Sequence, residues 1–168
     1  MKYTESKMWF DFTGFLFAQP VDIPANKFDG ASIVDFIAES DKSLLLVETK
    51  NYVNLSDDLA VQAAIDKSQA ESFYELTHPV DFARRMIKKL EHGLFVWVAA
   101  GNQIRKPISM LLVFNTPPQF TTRERDKLLN RLRRYIPESA GNKTAVLFDM
   151  PTVAEVNARY EFNVTVQP

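Results

Sequence analysis

The chain reads as an α/β protein with a central mixed β-sheet flanked by helices, folded as a single domain over residues 1–168. Three features predict this. Short, nearly continuous apolar runs such as "LLLV", "LFVWVAA" and "MLLVF" have the length and composition of strands buried on both faces. Between them lie segments with helix-start residues and apolar side chains at helical spacing. No repeat, low-complexity tract or linker interrupts the 168 residues, of which 46% are hydrophobic, enough to bury an ordinary core.

The elements follow in order. The opening "MWFDFTGFLF" is rich in aromatics and is expected to be extended, with a loop around Pro20 and Pro24. A strand over 31–38, a turn at "ESDKS" and a strand over 44–52 form the arms of a hairpin. Ser56 with Asp57 and Asp58 caps a helix running to about Leu76, its acids at the positive end of the helix dipole. Pro79 opens a second helix, which Gly93 is expected to close. "LFVWVAA" and "PISMLLVF" are then read as two buried strands. Thr121 and Glu124 make a capping box for the helix "TTRERDKLLNRLRRYI", stopped by Pro137. The strand "TAVLFD", a short helix after Pro151 and the alternating strand "YEFNVTV" complete the chain.

Composition removes several chemistries. No apolar run reaches the roughly 18 residues of a membrane span, and "MKYTESKMWF" lacks the basic-then-apolar pattern of a secretion signal, so a cytoplasmic protein without a membrane partner is expected. Zero cysteines exclude disulfides, thiolate catalysis and cysteine-rich zinc sites. His78 and His92 stand beside Pro79 and Gly93 as helix-end residues, which argues against a serine triad or a histidine-rich metal site. The five glycines form no phosphate-cradling loop. The net charge of −1 conceals a segregation: residues 1–80 carry 6 basic and 13 acidic side chains, 81–135 carry 12 and 4, and 136–168 carry 2 and 4. A basic middle in a near-neutral chain points to one positive surface facing a polyanion.

The hairpin carries the candidate chemistry. With a turn centred on Asp41 and Lys42, antiparallel partner numbers sum to 83, and Asp35 falls opposite Glu48. Cβ atoms so paired lie about 4.5–5.5 Å apart. Alternation puts Leu44, Leu46, Glu48 and Lys50 on one face, and Asp35 on the face of Ile33 and Ile37. Two facing carboxylates repel unless something compensates them, and a divalent cation such as Mg²⁺, a hard ion that prefers oxygen ligands, does so. Lys50, two residues on, is placed to orient a water and to stabilise charge on phosphorus.

Asp35, followed after twelve residues by Glu48-Thr49-Lys50 at the end of a "LLLV" strand, resembles the core motif of the PD-(D/E)XK nuclease superfamily, the restriction-endonuclease-like fold. Members place an Asp on one strand and Asp/Glu-x-Lys on the next, then a helix and another strand, and cleave nucleic-acid phosphodiesters with Mg²⁺. The resemblance covers roughly residues 28–100, with Val34 standing where the family name has proline. It implies that Asp35 and Glu48 are metal ligands, with the Thr49 carbonyl as a third, and that Lys50 is the catalytic lysine. Mg²⁺ is the implied cofactor, with Mn²⁺ able to replace it, and nucleic acid the implied substrate, DNA ahead of RNA. Glu5, Asp11, Gln62 and Gln69 are the candidates for further site residues. The alternative is a catalytically inactive member of the same fold, serving as a nucleic-acid-binding or assembly module. A second alternative is a plain scaffold in which Asp35 pairs with Lys50.

Two basic stripes fit a polyanion partner. In the helix from Pro79, Val80, Ala83, Ile87 and Leu90 face inward and leave Arg84, Arg85, Lys88 and Lys89 outward. In the later helix Leu128, Leu129 and Leu132 face in, and Arg123, Lys127, Arg131 and Arg134 follow the outer stripe. These eight are the expected phosphate contacts, giving salt-sensitive, sequence-independent affinity for nucleic acid, with a homodimer as a candidate assembly. The aromatics Trp9, Phe10, Phe12, Phe15 and Phe17 are assigned to core packing or a subunit contact in preference to base stacking. A metal site holding two mutually repelling carboxylates predicts that Glu48→Gln leaves stability in EDTA unchanged or slightly raised. A Glu48 satisfied by a lysine predicts a loss.

Overall fold

The computed structural model describes residues 1–5, 8–21, 33–51, 79–115, 122–135 and 146–166. The helix expected over 56–76, with Gln62 and Gln69, lies outside these residues, as do His78, Thr121 and Pro137. The described strands are β1 (Lys2–Glu5), β2 (Met8–Asp11), β3 (Phe17–Pro20), β4 (Phe36–Glu39), β5 (Leu44–Asn51), β6 (Ile108–Asn115), β7 (Val146–Asp149) and β8 (Asn163–Val166). The helices are α1 (Pro79–Ala99), α2 (Thr122–Tyr135) and α3 (Val153–Arg159). No described helix is long and apolar enough to cross a membrane.

The protein is mixed α/β, with two sheets. Five strands run in the order β3-β4-β5-β6-β7, and a smaller antiparallel sheet has the order β1-β2-β8. In the larger sheet β3, β4 and β5 are antiparallel neighbours, whereas β5, β6 and β7 are parallel. One face packs Leu46, Met110 and Phe148 against Met86, Leu90 and Trp97 of α1 and Leu129 of α2. The other packs Phe36, Val47 and Val113 against Phe10, Phe12 and Val164 of the small sheet and Val156 of α3. That double coverage explains why "LLLV" is continuously apolar: Leu44 and Leu46 face the helices, Leu45 and Val47 the second sheet. The N-terminal aromatics divide accordingly. Phe10, Phe12 and Phe15 are buried, with Phe12 and Phe162 rings 4.9 Å apart, while Trp9 is 52% exposed on the outer face of the small sheet.

The chain departs from expectation in several places. Gly93 does not close the helix and "LFVWVAA" is not a strand, because α1 continues to Ala99. A Cβ at Gly93 would lie 2.5 Å from Leu46 Cδ2 and 3.2 Å from Val34 Cγ2, so this glycine permits close approach of helix to sheet. Gly101, with φ +86°, is the glycine that ends the helix, its N–H bonded to the Val98 carbonyl at 2.9 Å. The buried stripe of α1 is accordingly Met86, Leu90, Gly93 and Trp97, and Val80, expected inside, is 40% exposed. The first hairpin arm is shorter than expected, with β4 beginning at Phe36 and a bend at Asp35. Pro20 belongs to β3 rather than to a loop, tolerated because β3 is an edge strand of its sheet. The short helix after Pro151 is present, held by a capping box between Thr152 and Glu155.

Candidate functional site

The β4–β5 register pairs Phe36 with Val47, Ile37 with Leu46, Ala38 with Leu45 and Glu39 with Leu44, so partner numbers sum to 83. The connecting turn is tight. Ser40 N–H donates to the Ser43 carbonyl at 3.0 Å, and Ser40 Oγ accepts from the amides of Lys42 and Ser43 at 3.2 Å each. The ladder ends at Phe36 and Val47, and Asp35 lies in a bend just before it, one residue short of a partner position for Glu48.

Regular alternation does not continue to Asp35. Val34 and Ile37 both pack into the helix-side cluster, which two residues three apart on one strand cannot do without a bend between them. The backbone at Asp35 stays in the sheet through its carbonyl, which accepts from Val21 N–H at 2.9 Å. Its carboxylate turns to β5: Oδ2 accepts from Thr49 N–H and from Thr49 Oγ1, both at 2.7 Å. A side-chain oxygen thus replaces a β4 carbonyl as partner of the Thr49 amide, where the ladder stops. These are charge-assisted bonds, the stronger kind. Asp35 Oδ1 accepts no bond from the described residues. Within a strand the N–H and C=O of one residue point to the same side, so the Thr49 carbonyl is directed toward the side of Asp35.

Glu48 follows Leu46 onto the helix-facing side and is 1% exposed. Its Oε2 accepts from Lys89 Nζ at 2.7 Å, and the same ammonium donates to the Ile33 carbonyl at 3.0 Å. Lys89 is therefore not on the outer stripe of α1, as its neighbours suggested, but has a side chain only 15% exposed. The reason is the unbroken helix. Lys89 is three residues after Met86 and four before Gly93, hence on the buried face, at the point where Gly93 brings α1 closest to β5. Among the described contacts Asp35 accepts from Thr49 and Glu48 accepts from Lys89, so the two carboxylates have different partners.

The other expected residues divide as follows. Lys50 continues β5 in register with Phe114, and its side chain lies outside the described part. Arg84, Arg85 and Lys88 of α1 and Arg123, Lys127 and Arg134 of α2 are exposed, while the Arg131 side chain is outside the described part. Both helices cover the same face of the large sheet, the face to which Glu48 and Lys89 belong. Glu5 and Asp11 sit on β1 and β2 of the other sheet, where Asp11 accepts from Thr13.

Two polar groups escaped the sequence reading. Arg125 of α2 pairs with Glu155 of the α3 capping box. Burial works to raise the Glu155 pKa, but the Thr152 amide and the Arg125 guanidinium outweigh it and hold the carboxyl below its ordinary value. Asp149, at the end of β7, accepts from the Met150 amide at 2.9 Å and from Arg159 at 3.1 Å, and it also accepts from the Tyr160 hydroxyl. Burial and that carboxylate push the phenol far above its ordinary pKa.

Two carboxylates and a backbone carbonyl are oxygen donors, the type a hard cation prefers. Among the described residues no group of three or more His, Cys, Asp or Glu side chains could hold a metal. Mg²⁺ needs no such cage, since it retains waters and takes one or two carboxylates. A cationic group, the Lys89 ammonium, already sits on Glu48 with the Ile33 carbonyl as its second oxygen partner.

Searches against protein-family models, curated proteins and solved structures return no match to this chain.

Proposed function

We propose that the protein is a Mg²⁺-dependent nuclease on a restriction-endonuclease-like α/β fold, hydrolysing phosphodiester bonds in nucleic acid, DNA ahead of RNA. The observation that carries this is the end of the β4–β5 ladder, where the Asp35 carboxylate reaches the amide and hydroxyl of Thr49, the residue that follows Glu48 on β5. The strand order gives further support. An Asp before one strand and Glu-x-Lys on the next are followed by a helix and then by β6, which pairs parallel to β5. In this proposal the following strand is β6 rather than "LFVWVAA".

Asp35 and Glu48 would hold the metal through carboxylate oxygens, with the Thr49 carbonyl as third ligand. When bound, Mg²⁺ supplies Lewis-acid stabilisation of the charge that develops on the phosphate oxygens. Thr49 fixes the Asp35 carboxylate through two bonds, so this ligand does not have to be ordered during the reaction. By the resemblance, Lys50 would orient the attacking water and offset charge on the phosphorus centre. The water oxygen bonds to phosphorus as the ester P–O bond breaks, leaving a phosphate monoester and a hydroxyl. Exposed cations of α1 and α2 hold the flanking phosphates without reading sequence. Cleavage of single- and double-stranded DNA and of RNA, assayed with Mg²⁺, Mn²⁺ and EDTA, tests the proposal. Metal-dependent cleavage should disappear in Asp35→Asn and Lys50→Ala, and wild type inert on all substrates would refute it.

The Glu48–Lys89 ion pair favours a second reading, a catalytically inactive protein of the same architecture acting as a nucleic-acid-binding or assembly module. It predicts nucleic-acid binding unaffected by EDTA, without cleavage.

A further inference from the structure

We infer that the Lys89 ammonium is the resident counter-ion of the candidate metal site and must leave Glu48 before a divalent cation can bind, so that the site loads by exchanging one cation for another. The inference rests on the nuclease reading of Asp35 and Glu48, and it makes Lys89 a positioning residue.

The two acids are held by different kinds of group. Asp35 is compensated by dipoles, the N–H and O–H of Thr49, both on Oδ2. Neither bond has to break for Oδ1 to meet a metal. Glu48 accepts on Oε2 from a full positive charge at 2.7 Å, the Lys89 ammonium, and a metal would compete with that charge for the carboxylate. Glu48 is 1% exposed on the sheet face that packs against Met86 and Leu90, so an ionised carboxylate there is costly without a cation beside it. The ammonium is gripped by a carboxylate and a backbone carbonyl, the oxygen chemistry that also suits Mg²⁺.

The exchange has a mechanical basis. Gly93 packs α1 against Leu46 and Val34 one turn beyond Lys89, which fixes the helix backbone at this point. Only the four-carbon stem of Lys89 can move, and its 15% exposure gives the head a route to water along the helix. Once withdrawn, the ammonium stands beside exposed Arg85 and Lys88, on the face proposed to meet phosphates. Because the metal binds only the fraction of molecules in which Glu48 is uncovered, wild-type affinity is reduced by that fraction.

The test is Mn²⁺ binding, followed by electron paramagnetic resonance of the uncomplexed ion, in wild type, Lys89→Met, Lys89→Arg and Lys88→Met. Lys89→Met should tighten Mn²⁺ binding about ten- to a hundredfold, the equivalent of a charge-assisted bond that no longer has to break. Lys89→Arg should keep wild-type affinity. Lys88→Met, which removes an exposed charge on the next residue, should change it less than threefold, separating competition for Glu48 from general charge repulsion. Should Lys89→Met not fold, wild type alone decides through reductive methylation read by mass spectrometry. Lys89 should react several times faster, relative to Lys88, in Mg²⁺ than in EDTA. Wild type that binds Mn²⁺ while Lys89→Met binds it equally or more weakly would overturn this inference and leave the nuclease reading standing, as would Lys89 reactivity indifferent to Mg²⁺. Failure of both wild type and Lys89→Met to bind Mn²⁺ would overturn the metal reading, and the exchange with it.

Discussion

Replacing Glu48 by Gln keeps the side-chain shape, removes one charge and leaves the Lys89 ammonium without its counter-ion. The carboxylate is 1% exposed and the lysine side chain 15%, so the pair is close to fully desolvated. Deleting one partner of a buried ion pair costs about 3–5 kcal/mol. Two features lower that figure here: glutamine Oε1 still accepts a hydrogen bond, and Lys89 retains the Ile33 carbonyl with a path to solvent. A net loss of roughly 2–3 kcal/mol is expected. For a chain of this size each kcal/mol moves the melting temperature by about 2–4 °C, which gives a drop of roughly 4–12 °C. Thermal denaturation by circular dichroism in EDTA measures it, and Glu48→Gln combined with Lys89→Met should recover part of the loss. A melting temperature unchanged or raised by Glu48→Gln would refute the buried pairing. That result is the one a bare, self-repelling acid pair would give, so Lys89 reverses the sign expected for a metal site read from sequence. The loss expected here arises whether or not the site also binds metal. Stability in EDTA therefore no longer separates an enzyme from a scaffold, and metal affinity takes over that task.

Other perturbations have equally definite outcomes. Gly93→Val puts branched carbon where even a Cβ would be 2.5 Å from Leu46 Cδ2, and should lower the urea midpoint by an amount equivalent to about 3 kcal/mol, with the slope unchanged. Glu155 has a folded-state pKa below its ordinary 4.5, so its contribution is present above that value and is lost as pH falls through the depressed folded value. The gap in melting temperature between wild type and Glu155→Gln should accordingly close in acid, and a gap that widened there would contradict the assignment. Neutralising Arg84, Arg85 and Lys88 together, or Arg123, Lys127 and Arg134, should weaken nucleic-acid binding alike for all sequences. Every phosphate no longer neutralised should flatten the log–log salt dependence by about 0.9 for duplex DNA. Affinity unchanged by either set would make that helix face an ordinary solvated surface.

The hairpin was legible because two local rules agree on it. Apolar alternation sets the face of each residue, and a short polar turn at Asp41 and Lys42 sets the register. "LFVWVAA" is ambiguous because seven apolar residues fit a buried strand and a buried helical turn equally well, and periodicity over so short a run does not separate them. Gly93 adds to the ambiguity, since a glycine required for close packing and one that caps a helix look alike in sequence. Lys89 was hidden for a different reason. Its partner is 41 residues earlier in the chain, and helical spacing alone cannot show that a lysine turns inward to meet a buried acid. The 3.6-residue stripe of Met86, Leu90, Gly93 and Trp97 would have found it had Gly93 been read as helical.

The large sheet joins a local half to a distant half, and β5 is the seam. Pairing β4 with β5 closes only a short turn, an event of microseconds. Pairing β5 with β6 closes the chain across residues 52–107, a far slower search. Glu48 lies on β5 and Lys89 on α1, so their pairing requires α1 to pack on the sheet. The ion pair is therefore expected to form late on the folding route. Losing it should leave the refolding rate nearly untouched and speed unfolding instead, so the acid at the candidate site also sets how long the native state persists once formed.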